Sequence, residues 1–382
     1  MKLPQRFETP VNPSELRGWG DLPELLLSDV LRRLVPHLRS LAAFAATCRR
    51  WRGFLVASAP ALILPRVPPL LLYPEPASTS SHLHPMSSCV IPRPITSPLA
   101  AFPSTLLSSS RGHLIFLDRP RGLLVLVDAL TGAERRALPL PSPNSPHHYA
   151  TLTSTHLLLF VSKHAFVTLP FPPPDPVPEW THHRLPRAAS FVASVVEFRG
   201  RLLGVTDRAQ LLEFRLDAAA AAPDEAVQIL PATGLPDAAT FESWHYGPRL
   251  VAAGEQLLLV LLMTEPGGRG DTRTPVWVSK VAVHALDMAG GTRWEETATI
   301  GEYSLFVDCA GRSAVACADA GGCGAEGNRI YFASRCFWSG TFWSPHHPGW
   351  ETDATNFGQW LHISDGGRSL PTWVCPRFFF EL

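Results

Sequence analysis

The chain has 382 residues and no formal net charge, because 33 lysine and arginine residues balance 33 aspartate and glutamate residues. Hydrophobic residues make up 46% of the chain and charged residues 17%, a composition that excludes general disorder and supplies a sizeable apolar core. The balanced charge also argues against a nucleic-acid partner, which a basic surplus would indicate. At this length two structural units are expected unless a repeat architecture accommodates the chain.

Segments that would direct the protein out of the cell or into a membrane are not expected. The first residues lack a continuous apolar stretch, so no signal peptide is predicted. The longest apolar run, Leu257 to Met263, is too short to cross a bilayer. Seven cysteines without an export signal predict free thiols in a reducing compartment. We therefore expect an intracellular protein of the nucleus, the cytoplasm or both, with no membrane partner.

Near the start of the chain the apolar residues follow helical spacing. Asp21 and Glu24 match the capping-box pattern, and Pro23 falls in the first turn, where its missing N–H costs nothing. The stripe that follows ends before Pro36 and consists of Leu22, Leu26, Leu27, Val30, Leu31 and Leu34. A second stripe consists of Leu41, Phe44, Ala45, Cys48, Trp51 and Leu55. Two short helices are predicted; spacing alone slightly favours packing on their own chain over docking on another protein.

The same residues resemble an F-box. The resemblance covers about residues 19–58 and rests on the Leu22-Pro23 dipeptide, the leucine-rich helix and the closing sequence "TCRRWR" from Thr47 to Arg52. It implies docking on a Skp-type adaptor, which links the protein to a cullin ubiquitin ligase. The adaptor contacts that it implies are Leu22, Pro23, Leu26, Leu27, Leu31, Leu34 and Trp51. Cys48 is then expected to be a packing thiol, because no base is evident nearby.

The rest of the chain is dominated by short β-like runs. Proline and serine between residues 60 and 110 exclude regular helix, and we predict a linker at 59–68 between an F-box at 18–58 and a β domain at 69–382. A first strand is expected at Pro69–Tyr73. Similar runs begin near Gly112, Thr155, Gly200, Gly254 and Gly327, at steps of 43, 45, 54 and 73 residues. The first two steps match propeller blades, whose period is about 40–50 residues.

The predicted fold is therefore a small N-terminal all-α F-box followed by an all-β domain, a kelch-like β-propeller. A propeller lets many short antiparallel strands bury their faces against neighbouring blades while exposing few sheet edges. A pair of β-sandwiches is the weaker alternative.

A second resemblance lies in the C-terminal part of the chain. Ile300-Gly301, Ser304–Phe306 and "NRIYF" from Asn328 to Phe332 resemble the plant F-box family that carries a KIB-like propeller. The ending "TWVCPRFFF" resembles the Trp-x-x-Pro with which that family ends. One departure is an insertion, "CFWSGTFWSPHHPGWETDATNFGQW", after the "IYF" run.

This insertion is rich in aromatic residues and allows two interpretations. The tryptophans could fill a blade interior, which is the more frequent role of such clusters. Glycines and prolines between them instead favour a loop whose tryptophans anchor a target protein, as at many binding hot spots. The candidate target-binding residues are Trp338, Trp343 and Trp350.

Motifs for metal binding or catalysis are lacking in the sequence. The cysteines at positions 309, 317, 323 and 336 are 8, 6 and 13 residues apart, without the closely spaced pairs that zinc sites use. Adjacent histidines, such as His147-His148, His182-His183 and His346-His347, point to opposite sides of a strand. No phosphate-binding loop or nucleophile elbow is present. We therefore predict no catalytic residue, metal or cofactor, and no enzymatic activity in this chain itself.

These observations together predict the substrate-recognition subunit of an SCF-type ubiquitin ligase. Its F-box would bind the Skp-type adaptor, its propeller would bind an unidentified target protein, and tethering would replace chemistry. The alternative is a propeller that binds or scaffolds partners without the ligase and retains its F-box only as structure. A sugar-binding or hydrolytic propeller would need carboxylates around its channel, which the sequence does not display.

Overall fold

The computed structural model describes residues 22–35, 38–58, 69–74, 81–84, 105–128, 134–143, 145–216, 226–235, 248–264, 278–288, 291–308, 314–318, 327–333, 342–343 and 372–374. Helices come first, and they are α1 (Glu24–Leu34), α2 (Leu38–Thr47) and α3 (Arg49–Ser58). Every element that follows within the described residues is a strand. No helix of this described part is long and apolar enough to cross a membrane.

The helix boundaries correct two expectations. Pro23 is not in the first helical turn as predicted, because α1 begins at Glu24 and Pro23, at ψ 146°, occupies the N-cap position with no side-chain hydrogen bond. Asp21 lies outside the described residues, so the predicted capping box with Glu24 stays a prediction. The second apolar stripe is divided between α2 and α3, since the helix breaks at Cys48, whose Sγ accepts the Trp51 N–H at 3.5 Å. The end of α1 before Pro36 is as predicted.

Most strands form four-stranded sheets. The first sheet contains β3 (Thr105–Ser110), β4 (His113–Asp118), β5 (Leu123–Asp128) and β6 (Glu134–Pro139). The second contains β7 (Tyr149–Leu152), β8 (His156–Ser162), β9 (Ala165–Pro170) and β10 (Thr181–Arg184). The third contains β11 (Val192–Phe198), β12 (Arg201–Thr206), β13 (Leu211–Phe214) and β14 (Val227–Leu230). The fourth contains β15 (Arg249–Ala253), β16 (Gln256–Thr264), β17 (Val278–Asp287) and β18 (Arg293–Glu296).

The remaining strands complete the ring. A fifth sheet has the order β20 (Ala314–Cys317), β19 (Ser304–Asp308), β21 (Arg329–Ala333), β22 (Phe342–Trp343), and its β19 and β21 are parallel. A three-stranded sheet joins the predicted first strand, observed as β1 (Leu70–Pro74), to β2 (Ser81–His84) and β23 (Thr372–Val374). Because β1 precedes the blades and β23 follows them, distant parts of the chain meet in this sheet. The predicted linker, residues 59–68, lies outside the described residues.

Contacts between neighbouring sheets close the strands into a circle. The first strand of each early sheet touches that of the next, from β3 to β7, β11 and β15, and β15 touches β20. β23 touches both β19 and β3. In the described part of the chain, five four-stranded blades therefore form a β-propeller, with the three-stranded sheet between the fifth blade and the first. The predicted propeller is confirmed, and the alternative of paired sandwiches is excluded.

Packing between consecutive blades explains the stability of the ring. Each of four buried apolar clusters draws its residues from two neighbouring blades, beginning with Leu107 to Leu140 of the first blade against Ala150 to Leu169 of the second. Several central strands are buried almost throughout, since they have another blade on either face. The apolar runs that suggested blades are the strands of these interfaces.

The turns at the predicted repeat positions have a common geometry. Arg111-Gly112, between β3 and β4, has φ values of 46° and 75°, and Arg199-Gly200, between β11 and β12, has 49° and 72°. Positive φ at both central residues is the geometry that two-residue hairpin loops prefer, and glycine adopts it at little cost. Gly254 at φ 58° occupies the equivalent turn between β15 and β16. The repeat glycines of these blades therefore mark the turn from the first strand to the second.

The third blade also carries a partly buried ionic cluster across its strands. The Glu213 carboxylate on β13 accepts hydrogen bonds from Arg201 on β12 at 2.7 Å and from Arg215 at 3.0 Å. The bond from Arg201 is the main reason that the pKa of Glu213 lies below its ordinary value, and partial burial opposes this shift. The charged form of Glu213 therefore stabilises the folded state.

We expect Glu213→Gln to lower the free energy of unfolding at neutral pH by about 1–3 kcal/mol, because charge-assisted hydrogen bonds are lost. A depressed folded-state pKa gives stability that is present above the unfolded value and lost as the pH falls through the folded value. The difference between wild type and variant, measured by urea unfolding, should therefore shrink in acid. Glu295→Gln, at an exposed carboxylate 3.8 Å from Arg293, is the control. A difference that stays constant with pH would contradict this explanation.

Candidate functional site

The N-terminal helices form a small unit with its own apolar core. The core consists of Leu27, Leu31, Leu41, Phe44 and Leu55, and no residue of the strands belongs to it. The helix α1 contacts both α2 and α3, and the rings of Phe44 and Trp51 lie 4.6 Å apart. Among the described residues, this buried core is thus formed by the three helices alone.

This unit leaves apolar side chains in solvent on α1. The side chains of Leu25 and Leu26 are 76% and 48% exposed, and Pro23 just before the helix is also exposed. Large exposed apolar residues on a folded unit indicate an interaction surface when they lie together. Leu26 lies one turn before half-buried Val30 and shares its side of α1, and the adjacent Leu25 lies one turn before Asp29; we call Leu25 and Leu26 the apolar edge of α1.

The predicted adaptor contacts separate into three groups in the structure. Pro23 and Leu26 are exposed, whereas Leu27 and Leu31 are fully buried inside the unit. The half-buried residues at the border are Leu22, Leu34 and Trp51. Leu25 was not among the sequence-based candidates, although it is the most exposed of the large apolar residues described. The run of three leucines at 25–27 was the available signal, but its periodicity does not show which leucine faces solvent.

Charged residues surround this apolar edge. Asp29 and Arg32 form an exposed ion pair at 3.7 Å on α1. Arg52 on α3 donates its Nε–H to the Ala45 carbonyl at 3.2 Å, which fixes α3 against the end of α2. An apolar patch with a charged border is the usual composition of a protein interface.

One of the three candidate target-binding tryptophans, Trp343, lies within the described residues. Trp338 and Trp350 lie outside the described residues. The backbone of Trp343 belongs to β22 and pairs with Ile330 on β21. Their predicted part in target binding stays a prediction.

Residues that could hold a metal ion are not grouped in the described part of the chain. His182 and His183 are adjacent on β10 and pair with Val167 and Phe166, respectively. The His183 ring stacks on Phe166 at 4.8 Å, and its Nε2 lies 2.9 Å from Thr168 Oγ1. Burial is the main cause that lowers the pKa of His183, which favours the neutral form of this side chain within the blade. Among the cysteines, Cys48 and Cys317 are free thiols, and positions 309, 323 and 336 lie outside the description.

A polar network links the turns of successive blades at one face of the propeller. Glu197, at the end of β11, lies 3.3 Å from the Arg111 guanidinium of the first blade. Its Oε1 accepts the Ser154 N–H of the second blade at 2.8 Å and a further bond from the Ser154 hydroxyl. Arg199 then donates to the Glu255 carbonyl of the fourth blade at 2.8 Å and forms an ion pair with its carboxylate at 2.9 Å. These residues were missed by the sequence analysis, because nothing in the sequence shows which turns are neighbours.

Hydrogen bonds between the first strands of the blades hold the ring from the inside. Ser108 on β3 donates to the Ala150 carbonyl on β7, and Ser110 Oγ accepts the Leu152 N–H at 3.0 Å. The Leu250 N–H on β15 donates to Ser194 Oγ on β11 at 3.2 Å. Because side chains join blades at these points, the turns at both faces keep fixed positions relative to one another. A rigid surface of this kind is suited to recognising a partner.

The closed ring of blades agrees with a match to a known family. The model of the KIB1-4 beta-propeller matches residues 87–358, which is well over half of the chain. The chain belongs to the KIB1-4 beta-propeller family. A β-propeller of this kind indicates protein–protein interaction. The match to the KIB1-4 propeller begins after the helices, so it leaves α1, α2 and α3 uninterpreted.

Comparison with other proteins adds little to the KIB1-4 assignment. None of the curated proteins compared matches the chain significantly. The N-terminal domain of Nup159 is similar at 12% identity and TM-score 0.31, over 61% of this chain and 57% of that chain. The Cps50 (Swd1) beta-propeller of Myceliophteria thermophila gives 11% identity and TM-score 0.33, over 64% and 71% of the two chains. PorZ of Porphyromonas gingivalis gives 15% identity and TM-score 0.33, over 62% and 29%.

Proposed function

We propose that this KIB1-4 propeller protein is a substrate-recognition subunit of an SCF-type ubiquitin ligase. In this proposal the helical unit is an F-box that binds a Skp-type adaptor, and through it a cullin, while the propeller binds a target protein. One observation carries the proposal. The helices complete a core of their own and still expose Leu25 and Leu26 on α1.

The contact surface follows from the burial of the helical unit. Pro23, Leu25 and Leu26 would be covered by the adaptor, and half-buried Leu34 and Trp51 would complete the border of the interface. Leu27 and Leu31 contribute indirectly, since their packing holds α1 at its angle to the other helices. The resemblance of "TCRRWR" and the Leu22-Pro23 dipeptide to an F-box supports the choice of adaptor.

The mechanism in this proposal is proximity rather than chemistry. The propeller holds the target, and the adaptor brings it to a ubiquitin-charged enzyme at high effective concentration. The chain needs no catalytic residue, metal or cofactor for this role. The kelch-like character of the propeller, its origin in the plant F-box family and its place in the nucleus or cytoplasm belong to the same proposal, as does the absence of nucleic-acid and membrane partners.

We expect Leu25→Asp together with Leu26→Asp to weaken binding of a purified Skp-type adaptor at least about tenfold, because charges replace apolar contacts at the centre of the interface. Titration calorimetry with the full chain measures this loss. The matched control is Val177→Asp with Met288→Asp, which places the same charges at exposed apolar positions of the propeller. Adaptor binding by the control should equal that of wild type.

The second candidate function is a propeller module that binds its partner without the ligase. The observation that favours it is the extent of the family match, which covers the propeller and not the helices. If the wild-type protein binds no Skp-type adaptor, the ligase proposal is wrong and the second candidate is supported. Adaptor-dependent degradation of a bound partner, abolished by the Leu25 and Leu26 substitutions, would exclude the module.

A further inference from the structure

One face of the propeller is formed by turns opposite to those of the Glu197 network. In an antiparallel blade the turn between the second and third strands lies at the other end from the turn between the first and second. We define the basic face as these turns of the first three blades and the connections between blades at the same end. Its segments are 118–122, 140–143, 145–148, 163–164, 185–191 and 207–210.

Hydrogen bonds show that these segments form one continuous surface. The connection 185–191 bonds to the second blade through Leu185 N–H and the His164 carbonyl at 2.9 Å. It bonds to the third blade through Gln210 Nε2 and the Ala188 carbonyl at 2.8 Å. The ring of His148, from the preceding connection, meets the Phe191 ring edge-on at 5.2 Å. The basic face therefore spans three blades without a break.

The charge of this face is unbalanced. Its full cations are Arg119, Arg121, Lys163, Arg187 and Arg208, and its carboxylates are Asp118 and Asp207. Asp118 is buried and lies 3.7 Å from Arg121, so its charge is already paired. Within the described part of the chain no carboxylate forms an ion pair with Arg119, Lys163 or Arg187.

The opposite face provides an internal comparison. There Arg111 lies 3.3 Å from Glu197, and Arg199 lies 2.9 Å from Glu255. The charges of Arg111 and Arg199 at one end of the blades are thus neutralised within the protein, whereas Arg119, Lys163 and Arg187 at the other end form no ion pair with a described carboxylate. Unpaired surface cations on one side produce a positive potential that attracts acidic partners.

An exposed aromatic residue lies within the basic face. The Phe191 side chain is 44% exposed, although its backbone is fixed by the bond from Asp207 N–H to its carbonyl at 2.7 Å. Phenylalanine and arginine are enriched where proteins bind one another, because a rigid ring gives apolar contact area and guanidinium groups pair with carboxylates.

We propose that the basic face binds an acidic segment of a partner protein, with an apolar side chain of that segment packed on Phe191. A protein partner fits better than nucleic acid, because the cations are few and share the face with an exposed aromatic residue. The net charge of the whole chain is also zero, unlike that of most nucleic-acid binders. The surface concerns the target side of the proposed function, but the inference stands without the adaptor.

The test begins with selection of peptides that bind the full-length chain from a random library displayed on phage. We expect enrichment of aspartate and glutamate around one apolar residue. The best peptide is then labelled and its affinity for variants is measured by fluorescence anisotropy. Arg119→Glu with Arg187→Glu should weaken binding at least about tenfold, mainly through the association rate, and added salt should weaken wild-type binding.

Matched controls separate this face from general effects of charge or packing. Arg199→Glu with Arg293→Glu makes the same charge change at exposed arginines away from the basic face. Phe191→Ala should weaken binding several-fold, whereas Val177→Ala, at a similarly exposed apolar residue, should not. Both controls should keep wild-type affinity within about twofold.

Other outcomes overturn the inference. The first is that the selected peptides are not enriched in aspartate and glutamate. The second is that the two double variants lose equal affinity for the peptide. The third is that Arg119→Glu with Arg187→Glu weakens binding although added salt does not weaken the binding of wild type. Single-stranded DNA that binds more tightly than the peptide, independently of Phe191, would show a nucleic-acid surface instead. Adaptor binding by the same variants should be unchanged, so failure here is distinguishable from failure of the ligase proposal.

Discussion

Phe160→Ala is expected to lower the free energy of unfolding by about 3–5 kcal/mol, the cost of removing a large aromatic side chain from a packed core. Phe160 is completely buried on β8. Its ring stacks on Tyr149 and on Phe166, each at 5.4 Å, and meets Phe214 of the third blade edge-on at 6.0 Å. The substitution therefore opens a cavity at the contact between the second and third blades.

Denaturant unfolding followed by circular dichroism measures this loss. Phe191→Ala is the matched control, because it removes the same atoms from a side chain that is 44% exposed rather than completely buried. It should cost no more than about 1 kcal/mol. Equal losses in the two variants would show that the aromatic stack at Phe160 does not hold these blades together.

Gly234→Ala is expected to destabilise the propeller by about 2–4 kcal/mol, because strain in the backbone adds to a steric overlap. Gly234 has φ 89°, which side chains with a Cβ rarely adopt. An added Cβ would also overlap the carbonyl oxygen of Trp294 on β18. The carbonyl is part of the backbone, so the overlap can be relieved only if the connection between the third and fourth blades moves. The Trp294 N–H donates to the Thr233 carbonyl at 2.8 Å in this connection, and that hydrogen bond opposes the movement.

Gly200→Ala separates the two causes of this loss. Gly200 has φ 72°, but no atom lies within 4 Å of the position of its added Cβ. Only the conformational cost of about 1–2 kcal/mol should remain there. If both alanine variants lose the same stability, the contact between Gly234 and Trp294 does not contribute, and backbone strain alone explains the effect.

Much of the propeller could be predicted because its signals are local. The second strand of each of the first four blades corresponds to an apolar run, and these runs begin near Gly112, Thr155, Gly200 and Gly254. The residues at the start of each run form the tight turn from the first strand. A hairpin needs only neighbouring residues, so its turn chemistry is readable in order along the chain. The strand order of the fifth blade could not be predicted in this way, because the parallel pairing of β19 with β21 depends on a crossover that no short motif encodes.

The helical unit shows where spacing is ambiguous. The apolar residues from Leu41 to Leu55 follow one continuous helical period, yet the helix is interrupted at Cys48. The Cys48 Sγ accepts the Trp51 N–H at this interruption. The rings of Phe44 on α2 and Trp51 on α3 lie 4.6 Å apart, a tertiary contact that periodicity does not report. Which leucine of the run at 25–27 faces inward was likewise decided by packing against the other two helices.

The amino-acid sequence alone determined the class of this protein, a short helical segment followed by repeated β-strands, because hydrophobic spacing and turn residues act over a few positions. Only the tertiary structure decided which surfaces are available to partners. Arg119 and Arg187 are far apart in the chain, and they join one face because the blades close into a ring. Folding also decides whether an arginine forms an ion pair, as Arg111 does with Glu197. The reason is that the Coulomb interaction depends on the distance between two charges in space and not on their separation in the sequence.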